Sequence, residues 1–234
     1  MSSPRRFLVV LIGLVLAGCT SAGPSPTATE AADPIRIGAV FPLGGNAAEL
    51  AGYELRGVQI AADQVNADGG VHGRRVELDV RDLESGGSAP AVMASLRKSG
   101  AQVVIGAYGS DLSIAASQAA DAAGLVYWEA GAVADRLTGR GLPMVFRVGA
   151  SGSNLGSNST AFAAAQLAPR LSRSPAELRV AIVSADDAYA TSVADAAAAT
   201  AASLSVPVVR RLTYSLVVPD WQRVMAGLSS ARPR

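Results

Sequence analysis

From residue 35 onward, short apolar runs alternate with longer segments in which apolar residues recur every three or four positions. The short runs have the length of buried β-strands, and the longer segments have the spacing of one helix face. The pattern predicts strands at 35–41, 75–81, 103–105, 125–128 and 143–148, with helices at 52–67, 89–98 and 112–123. Strands that alternate with helices through short connections predict a parallel sheet covered by helices on both faces.

A second alternation begins after residues 149–159, a stretch of Gly, Ser and Asn with hardly any apolar residue. This composition is typical of a loop, so the stretch is the candidate crossover between two domains. Within this second alternation, Asp220 is a candidate N-cap for the last helix, and residues 171–175 are a candidate stop for the first helix, at 160–171. The pattern predicts helices at 160–171, at 190–203 and from about 220, with strands at 179–184 and 207–214. We therefore predict a first α/β lobe at 34–150 and a partial second α/β lobe at 151–234.

The N-terminus has the features of an export signal. Arg5 and Arg6 precede an apolar run at 7–17, which is too short to span a bilayer comfortably and leads into Leu16-Ala17-Gly18-Cys19. This order resembles the bacterial lipobox and predicts a lipoprotein signal peptide at 1–19, with Cys19 lipidated as the mature N-terminus. The alternative is an ordinary secretory peptide with an incidental cysteine. Residues 20–33 are rich in Ser, Thr, Pro, Ala and Gly and predict a flexible tether, so we expect an extracytoplasmic protein anchored to the cell membrane by acyl chains.

Composition narrows the functional classes. The 234 residues are 50% hydrophobic and carry a formal net charge of +1, which excludes a disordered chain and gives no electrostatic footprint for nucleic acid. A single cysteine cannot form an internal disulfide. His72 is the one histidine, which leaves too few ligands for a Cys/His zinc site, and its place beside turn glycines favours a surface turn residue over a catalytic base. We therefore predict no metal site, no cofactor and no catalytic residues.

Several short motifs occur in order along the chain. They are Ile35-Arg36-Ile37-Gly38 with Pro42-Leu43, Gly57 in the first predicted helix, the segment from Asn66 to Arg74, Val104-Ile105-Gly106, and Asp186-Asp187-Ala188-Tyr189. The third motif also has a physical basis, because Asn followed by nearby glycines is typical of a helix C-cap and tight turns. Together the motifs resemble the leucine/isoleucine/valine-binding type of type I periplasmic-binding protein, the extracytoplasmic receptor of an ABC importer.

The resemblance implies two doubly wound parallel-sheet lobes that hold a ligand in the cleft between them and close by hinge motion. It implies a small polar solute such as a branched-chain amino acid or an amide, and the subunits of an ABC permease as partners. Because family members are longer, it also implies a C-terminally truncated chain with an incomplete second lobe. The alternatives are a ligand sensor for a signalling partner, an inactive truncated product and, as a third class, an enzyme.

Ligands of open α/β sheets bind at the carboxyl ends of the strands, which points to loops 107–111, 129–134 and 184–189. Ser110 lies just before a predicted helix, where a hydroxyl and free backbone amides can receive a carboxylate. The resemblance implies a ligand-contacting serine here. The alternative is a plain helix N-cap, for which Asp111 competes.

The loop of Gly131, Ala132 and Val133 matches the family segment that presents backbone groups and a threonine hydroxyl to the ligand, although Val133 lacks that hydroxyl. Glu129 stands where the family more often has a serine, and its carboxylate either binds a cationic group at the cleft mouth or is a solvated rim charge. Tyr189 matches the second-lobe tyrosine that closes over the ligand, and the alternative is a half-buried core tyrosine. We expect Ser110 and Tyr189 to face each other across one cleft.

Overall fold

The computed structural model describes residues 33–233. The predicted signal peptide, the lipidation site Cys19 and residues 20–32 of the predicted tether lie outside the described residues. Within residues 33–233, no helix is both long enough and apolar enough to cross a membrane.

The first lobe is built on a five-stranded sheet in which every pair of neighbouring strands is parallel. Its spatial order is β2-β1-β3-β4-β5, so the chain winds outward in both directions from β1 and β3. The strands are β1 (Ile35–Phe41), β2 (Val76–Asp82), β3 (Val103–Gly106), β4 (Val126–Glu129) and β5 (Val145–Arg147). These bounds agree closely with the predicted strands, because each strand coincides with an apolar run or, in β2, with alternating apolar and charged residues.

Helices cover both faces of this sheet, as doubly wound folds require. They are α1 (Ala48–Ala67), α2 (Ala89–Lys98) and α3 (Ser110–Ala122). The main core joins α2 and α3 to one sheet face through fully buried side chains such as Met93, Leu96 and Val104. On the other face, Leu55 and Val58 of α1 pack around Phe41.

The second lobe contains a separate two-stranded parallel sheet. Its elements are α4 (Gly152–Phe162), α5 (Ala168–Arg170), β6 (Val180–Ala185), α6 (Ala188–Ser203), β7 (Val208–Tyr214) and α7 (Trp221–Ala231). A small core that includes Leu178, Ala201 and Val206 joins β6, β7 and α6 to the residues that follow α4. The predicted N-cap of the last helix is confirmed, because the Asp220 carboxylate accepts the N–H of Arg223 at 2.9 Å.

The predicted loop at 149–159 is wrong, since most of it forms α4. Ser151 caps this helix, and its side chain accepts the N–H of Asn154. Gly, Ser and Asn have low intrinsic helix propensity, but tertiary packing can override that preference. At Gly156 the backbone approaches α6 so closely that a Cβ would overlap the carbonyl oxygen of Val193. The small residues that suggested a loop therefore allow two helices to pack closely.

Candidate ligand-binding cleft

An open cleft of about 1010 Å³ lies where the carboxyl ends of the first-lobe strands face the start of α6. The loops that follow β1, β2, β3 and β4 contribute to one wall, and Asp187, Tyr189 and Leu216 of the second lobe contribute to the other. Four of the predicted site residues line this cleft: Ser110, Gly131, Ala132 and Tyr189. The structure therefore brings Ser110 and Tyr189 to one cleft from separate lobes.

Ser110 is the first residue of α3, and only 5% of it is exposed. Gly109 occupies the N-cap with a φ of 86°, a left-handed conformation that favours glycine, so neither Ser110 nor Asp111 is the N-cap. The Ser110 hydroxyl accepts the N–H of Ala134 at 3.2 Å. A hydroxyl also carries a hydrogen of its own, which leaves Ser110 able to donate into the cleft.

Glu129 does not lie at the mouth of the cleft, and both expectations for its carboxylate are wrong. Its side chain is completely buried beneath the loop that follows β4. Oε1 accepts the N–H groups of Gly131 at 3.0 Å and Ala132 at 2.8 Å, and Oε2 accepts the hydroxyl of Tyr127 at 3.1 Å. Burial raises the pKa of Glu129 to about 7, although these hydrogen bonds oppose the rise.

The loop from Gly131 to Val133 differs from the expectation that it offers its amides to a ligand. The amides of Gly131 and Ala132 point inward to Glu129, so these residues line the cleft without offering those donors. Val133 is not among the described residues that line the cleft. Its carbonyl oxygen accepts the Arg147 guanidinium at 2.9 Å and the N–H of Gly152 at 2.7 Å. Val133 therefore connects the loop to β5 and to the start of α4.

Tyr189 is the second residue of α6 and is 47% exposed, so it is not a core tyrosine. It lines the second-lobe side of the cleft. An amphipathic ring in this position can cover an apolar part of a solute and still reach water with its hydroxyl.

The charged side chains that line the cleft are all acidic: Glu84, Asp111 and Asp187. Two of them already have partners, since Asp187 accepts the N–H of Ala190 at 2.6 Å and Asp111 accepts the N–H of Ala188 at 3.3 Å across the cleft. The N-termini of α3 and α6 also border the cleft and offer partial positive charge. Carboxylates together with helix N-termini suit a zwitterionic or neutral polar solute.

Asp135 joins the lobes, a role that no sequence motif indicated. Its carboxylate accepts the hydroxyls of Ser153 on α4 and Ser192 on α6. Partial burial favours its protonated form, but hydrogen bonds from these serines and the charge of Arg147 outweigh burial and lower the pKa of Asp135. Asp135 directly follows the predicted loop 129–134, so extending that loop by one residue would have included it. Similarly, the rule about strand ends would have found Glu84 if it had been applied to β2.

Comparison with known proteins places this geometry in context. Residues 34–234 match the family model described as "Periplasmic binding protein". The chain is 35% identical over 190 residues to Leu/Ile/Val-binding protein homolog 8 of Brucella abortus (strain 2308), which covers 81% of this chain and 46% of that relative. The chain thus spans about half the length of the curated relatives that it matches.

Solved structures show the same similarity. A Desulfitobacterium hafniense ABC transporter substrate-binding protein in complex with Leu superposes with a TM-score of 0.67 at 26% identity, over 85% of this chain and 56% of that one. A putative branched-chain amino acid ABC transporter protein from Silicibacter pomeroyi gives a TM-score of 0.69 at 25% identity, over 86% of this chain and 52% of that one.

Proposed function

This chain belongs to the periplasmic binding protein family, and we propose that it is the extracytoplasmic solute-binding component of an ABC importer. The observation that carries the proposal is the cleft itself. It lies at the carboxyl ends of parallel strands, and it is lined by Ser110 from the first lobe and Tyr189 from the second. Open α/β folds bind their ligands at this edge of the sheet.

We propose a small polar solute, such as a branched-chain amino acid or an amide, as the ligand. The N-terminus of α3 and the hydroxyl of Ser110 suit a carboxylate or a carbonyl oxygen. Glu84 is an exposed carboxylate on the same wall and suits an amino group. Leu112, Leu216 and the ring of Tyr189 supply apolar surface for a side chain. The Brucella abortus Leu/Ile/Val-binding protein homolog and the Desulfitobacterium hafniense binding protein in complex with Leu, both similar to this chain, support this ligand class.

The proposed mechanism is hinge closure. The solute binds the first-lobe wall, α6 and Tyr189 close over it, and the closed form is presented to the permease. The Asp111 carboxylate supports closure, because it accepts the N–H of Ala188 at the start of α6 from across the cleft. No bond is made or broken in this cycle, so the proposed role is not that of an enzyme. Anchoring of Cys19 in the membrane by acyl chains is part of the same proposal.

Thermal unfolding in the presence of candidate solutes tests the proposed function. Leucine, isoleucine, valine, glutamine and acetamide are added separately to the purified chain at concentrations up to 10 mM, with mannitol as the matched non-ionic control. A solute that binds the folded state stabilises it by RT ln(1 + [L]/Kd), about 2.7 kcal/mol at a hundredfold excess over Kd. We expect a saturable rise in Tm with at least one amino acid or amide. No rise with any of them would contradict the proposed ligand class.

A further inference from the structure

A buried chain of hydrogen bonds connects two loops that line the cleft. At one end, the N–H of Ala107, which follows β3, donates to the hydroxyl oxygen of Tyr127. The Tyr127 hydroxyl donates to Oε2 of Glu129 at 3.1 Å, and Oε1 of Glu129 accepts the N–H groups of Gly131 and Ala132. Tyr127 and Glu129 are both completely buried. The loop before Ser110 and the loop after β4 are therefore linked through two side chains that do not touch the cleft.

A second acceptor for the Tyr127 hydroxyl lies beside this chain. The hydroxyl oxygen of Ser113, in the first turns of α3, is buried and has no hydrogen-bond partner in the described structure. Its proximity favours the ionised forms of both Tyr127 and Glu129 and so acts to lower the pKa of each, against the larger effect of burial. A hydroxyl can accept as well as donate, so Ser113 is able to accept the Tyr127 hydrogen when Glu129 does not.

We propose that Glu129 is a positioning residue whose protonation reverses its hydrogen bond with Tyr127 and so shifts the two loops that line the cleft. In the ionised state, the Tyr127 hydroxyl donates to Oε2 of Glu129. In the protonated state, Oε2 carries the hydrogen and donates it to the Tyr127 oxygen, and the Tyr127 hydroxyl turns to Ser113. Oε1 accepts the amides of Gly131 and Ala132 in both states. The inference rests on the proposed function in one respect, namely that the cleft is the ligand site.

Both states of Glu129 are populated near neutral pH, because burial raises its pKa to about 7. None of the titratable and charged groups around Glu129 outweighs burial as the main influence on its pKa. Arg147, its register partner on β5, directs its guanidinium to the carbonyl oxygens of Val133 and Ala134. Arg140, which is near enough to Tyr127 to interact with its charge, donates to the hydroxyl of Ser117. Among the described residues, no ion pair includes Glu129.

One further carboxyl group lies against the same loop. Glu54 of α1 contacts Gly131 so closely that a Cβ at Gly131 would overlap its carboxyl oxygen. Burial raises the pKa of Glu54, and its Oε2 has no hydrogen-bond partner among the described residues. The loop thus rests between two carboxyl groups, and Glu129 alone is hydrogen-bonded to its amides.

Amide NMR of the ligand-free chain between pH 5.5 and 8.5 tests the inference without requiring a bound solute. We expect the amide resonances of Ala107, Gly131 and Ala132 to shift with one common midpoint near pH 7. Glu129→Gln should abolish all three shifts, because glutamine keeps the acceptor at Oε1 and cannot titrate. Glu77→Gln, on an exposed strand position away from the cleft, is the matched control and should leave the shifts intact.

Tyr127→Phe tests whether the shift at Ala107 is transmitted through the Tyr127 hydroxyl. It should remove the shift at Ala107 and leave those at Gly131 and Ala132. If Tyr127→Phe fails to fold, the wild-type and Glu129→Gln titrations still decide. An Ala107 shift that survives in Glu129→Gln, separate midpoints for the two loops, or no shift in the wild type would overturn the inference.

A second readout connects the inference to binding. For a solute that raises Tm, calorimetric Kd values at pH 6 and pH 8 should differ by at least threefold in the wild type and agree within error in Glu129→Gln. Equal ratios in the two proteins would contradict the inference. Absence of binding at both pH values would contradict the proposed function, while the amide titration would still decide this inference.

Discussion

Asp135 and Ser192 belong to different lobes and exchange two hydrogen bonds. The N–H of Asp135 donates to the Ser192 hydroxyl oxygen at 3.0 Å, and that hydroxyl donates to Oδ2 of Asp135 at 2.9 Å. Ser153, at the start of α4, adds its hydroxyl to the same carboxylate. A single acidic side chain therefore ties the first lobe to two helices of the second, α4 and α6.

Asp135→Ala should weaken this connection. Hydrogen bonds to a charged group contribute more than neutral ones, and we expect a loss of about 1–3 kcal/mol in the free energy of unfolding at pH 7. The pKa of Asp135 is lowered in the folded state, so its contribution is present above the unfolded pKa of about 4 and is lost as the pH falls further. Urea unfolding measures both effects. The control Asp63→Ala, on the exposed side of α1, should change stability by about 0.5 kcal/mol or less; an equal loss in both variants would contradict this role.

Glu129→Gln should make the chain more stable at alkaline pH. The folded-state pKa of about 7 lies above the ordinary glutamate value of 4.5, so the folded state binds the proton more tightly than the unfolded state. The favourable contribution of Glu129 to the free energy of unfolding is therefore complete below pH 4.5 and is lost as the pH rises through 7. The shift corresponds to a cost on the order of 3 kcal/mol at pH 8.

Urea unfolding at pH 5 and pH 8 measures this effect. The variant should exceed the wild type at pH 8, with a much smaller difference at pH 5, and Glu77→Gln should follow the wild type at both. A Glu129→Gln variant with the wild-type pH dependence would show that the carboxyl group does not titrate in this range.

Gly156→Ala should destabilise the second lobe. The new methyl group would overlap the carbonyl oxygen of Val193, which forces α4 and α6 apart, and we expect a loss of about 1–3 kcal/mol. Gly57→Ala is the matched control, because Gly57 lies in α1 with open space around it. That change should stabilise by about 0.5–1 kcal/mol through helix propensity. Circular dichroism during urea unfolding measures both, and equal effects would refute the close packing of α4 on α6.

Ser110→Ala should reduce both stability and solute affinity. Removing the hydroxyl leaves the buried N–H of Ala134 without its acceptor, which costs about 1–3 kcal/mol. Loss of the donor to the solute should weaken Kd about fivefold or more, on the order of 1 kcal/mol. Isothermal titration calorimetry and urea unfolding separate the two effects. Ser95→Ala, exposed on α2, is the control and should change neither.

The sequence predicted the fold better than it predicted the site, for physical reasons. Most strands of the first lobe are apolar runs, and β2 alternates apolar and charged residues; burial of either pattern depends little on distant context. Helix α4 could not be predicted in the same way. Its Gly, Ser and Asn residues have low helix propensity, and they are tolerated because α6 packs against them.

The site residues were likewise predicted where strand ends locate them and missed where contacts with other side chains decide their position. The ends of the parallel strands located the cleft, and Ser110 and Tyr189 do line it. The sequence could not show that Glu129 turns inward, because its environment comes from Tyr127 and from the amides that follow it. Nor could it show that Asp135 meets Ser192, since that contact depends on how the two lobes are placed.

The most direct test of solute binding in this cleft is calorimetric titration of leucine, or of whichever tested solute raises Tm, into wild type, Tyr189→Ala and Tyr53→Ala. Tyr189 and Tyr53 are both about half exposed, at 47% and 58%, but Tyr189 lines the cleft and Tyr53 lies on α1 outside it. Neither substitution removes a buried side chain, so both should leave the urea midpoint nearly unchanged. We expect Tyr189→Ala to weaken Kd about tenfold or more, about 1.4 kcal/mol, and Tyr53→Ala to bind as the wild type does. Equal affinity in all three proteins would contradict binding in the cleft between Ser110 and Tyr189.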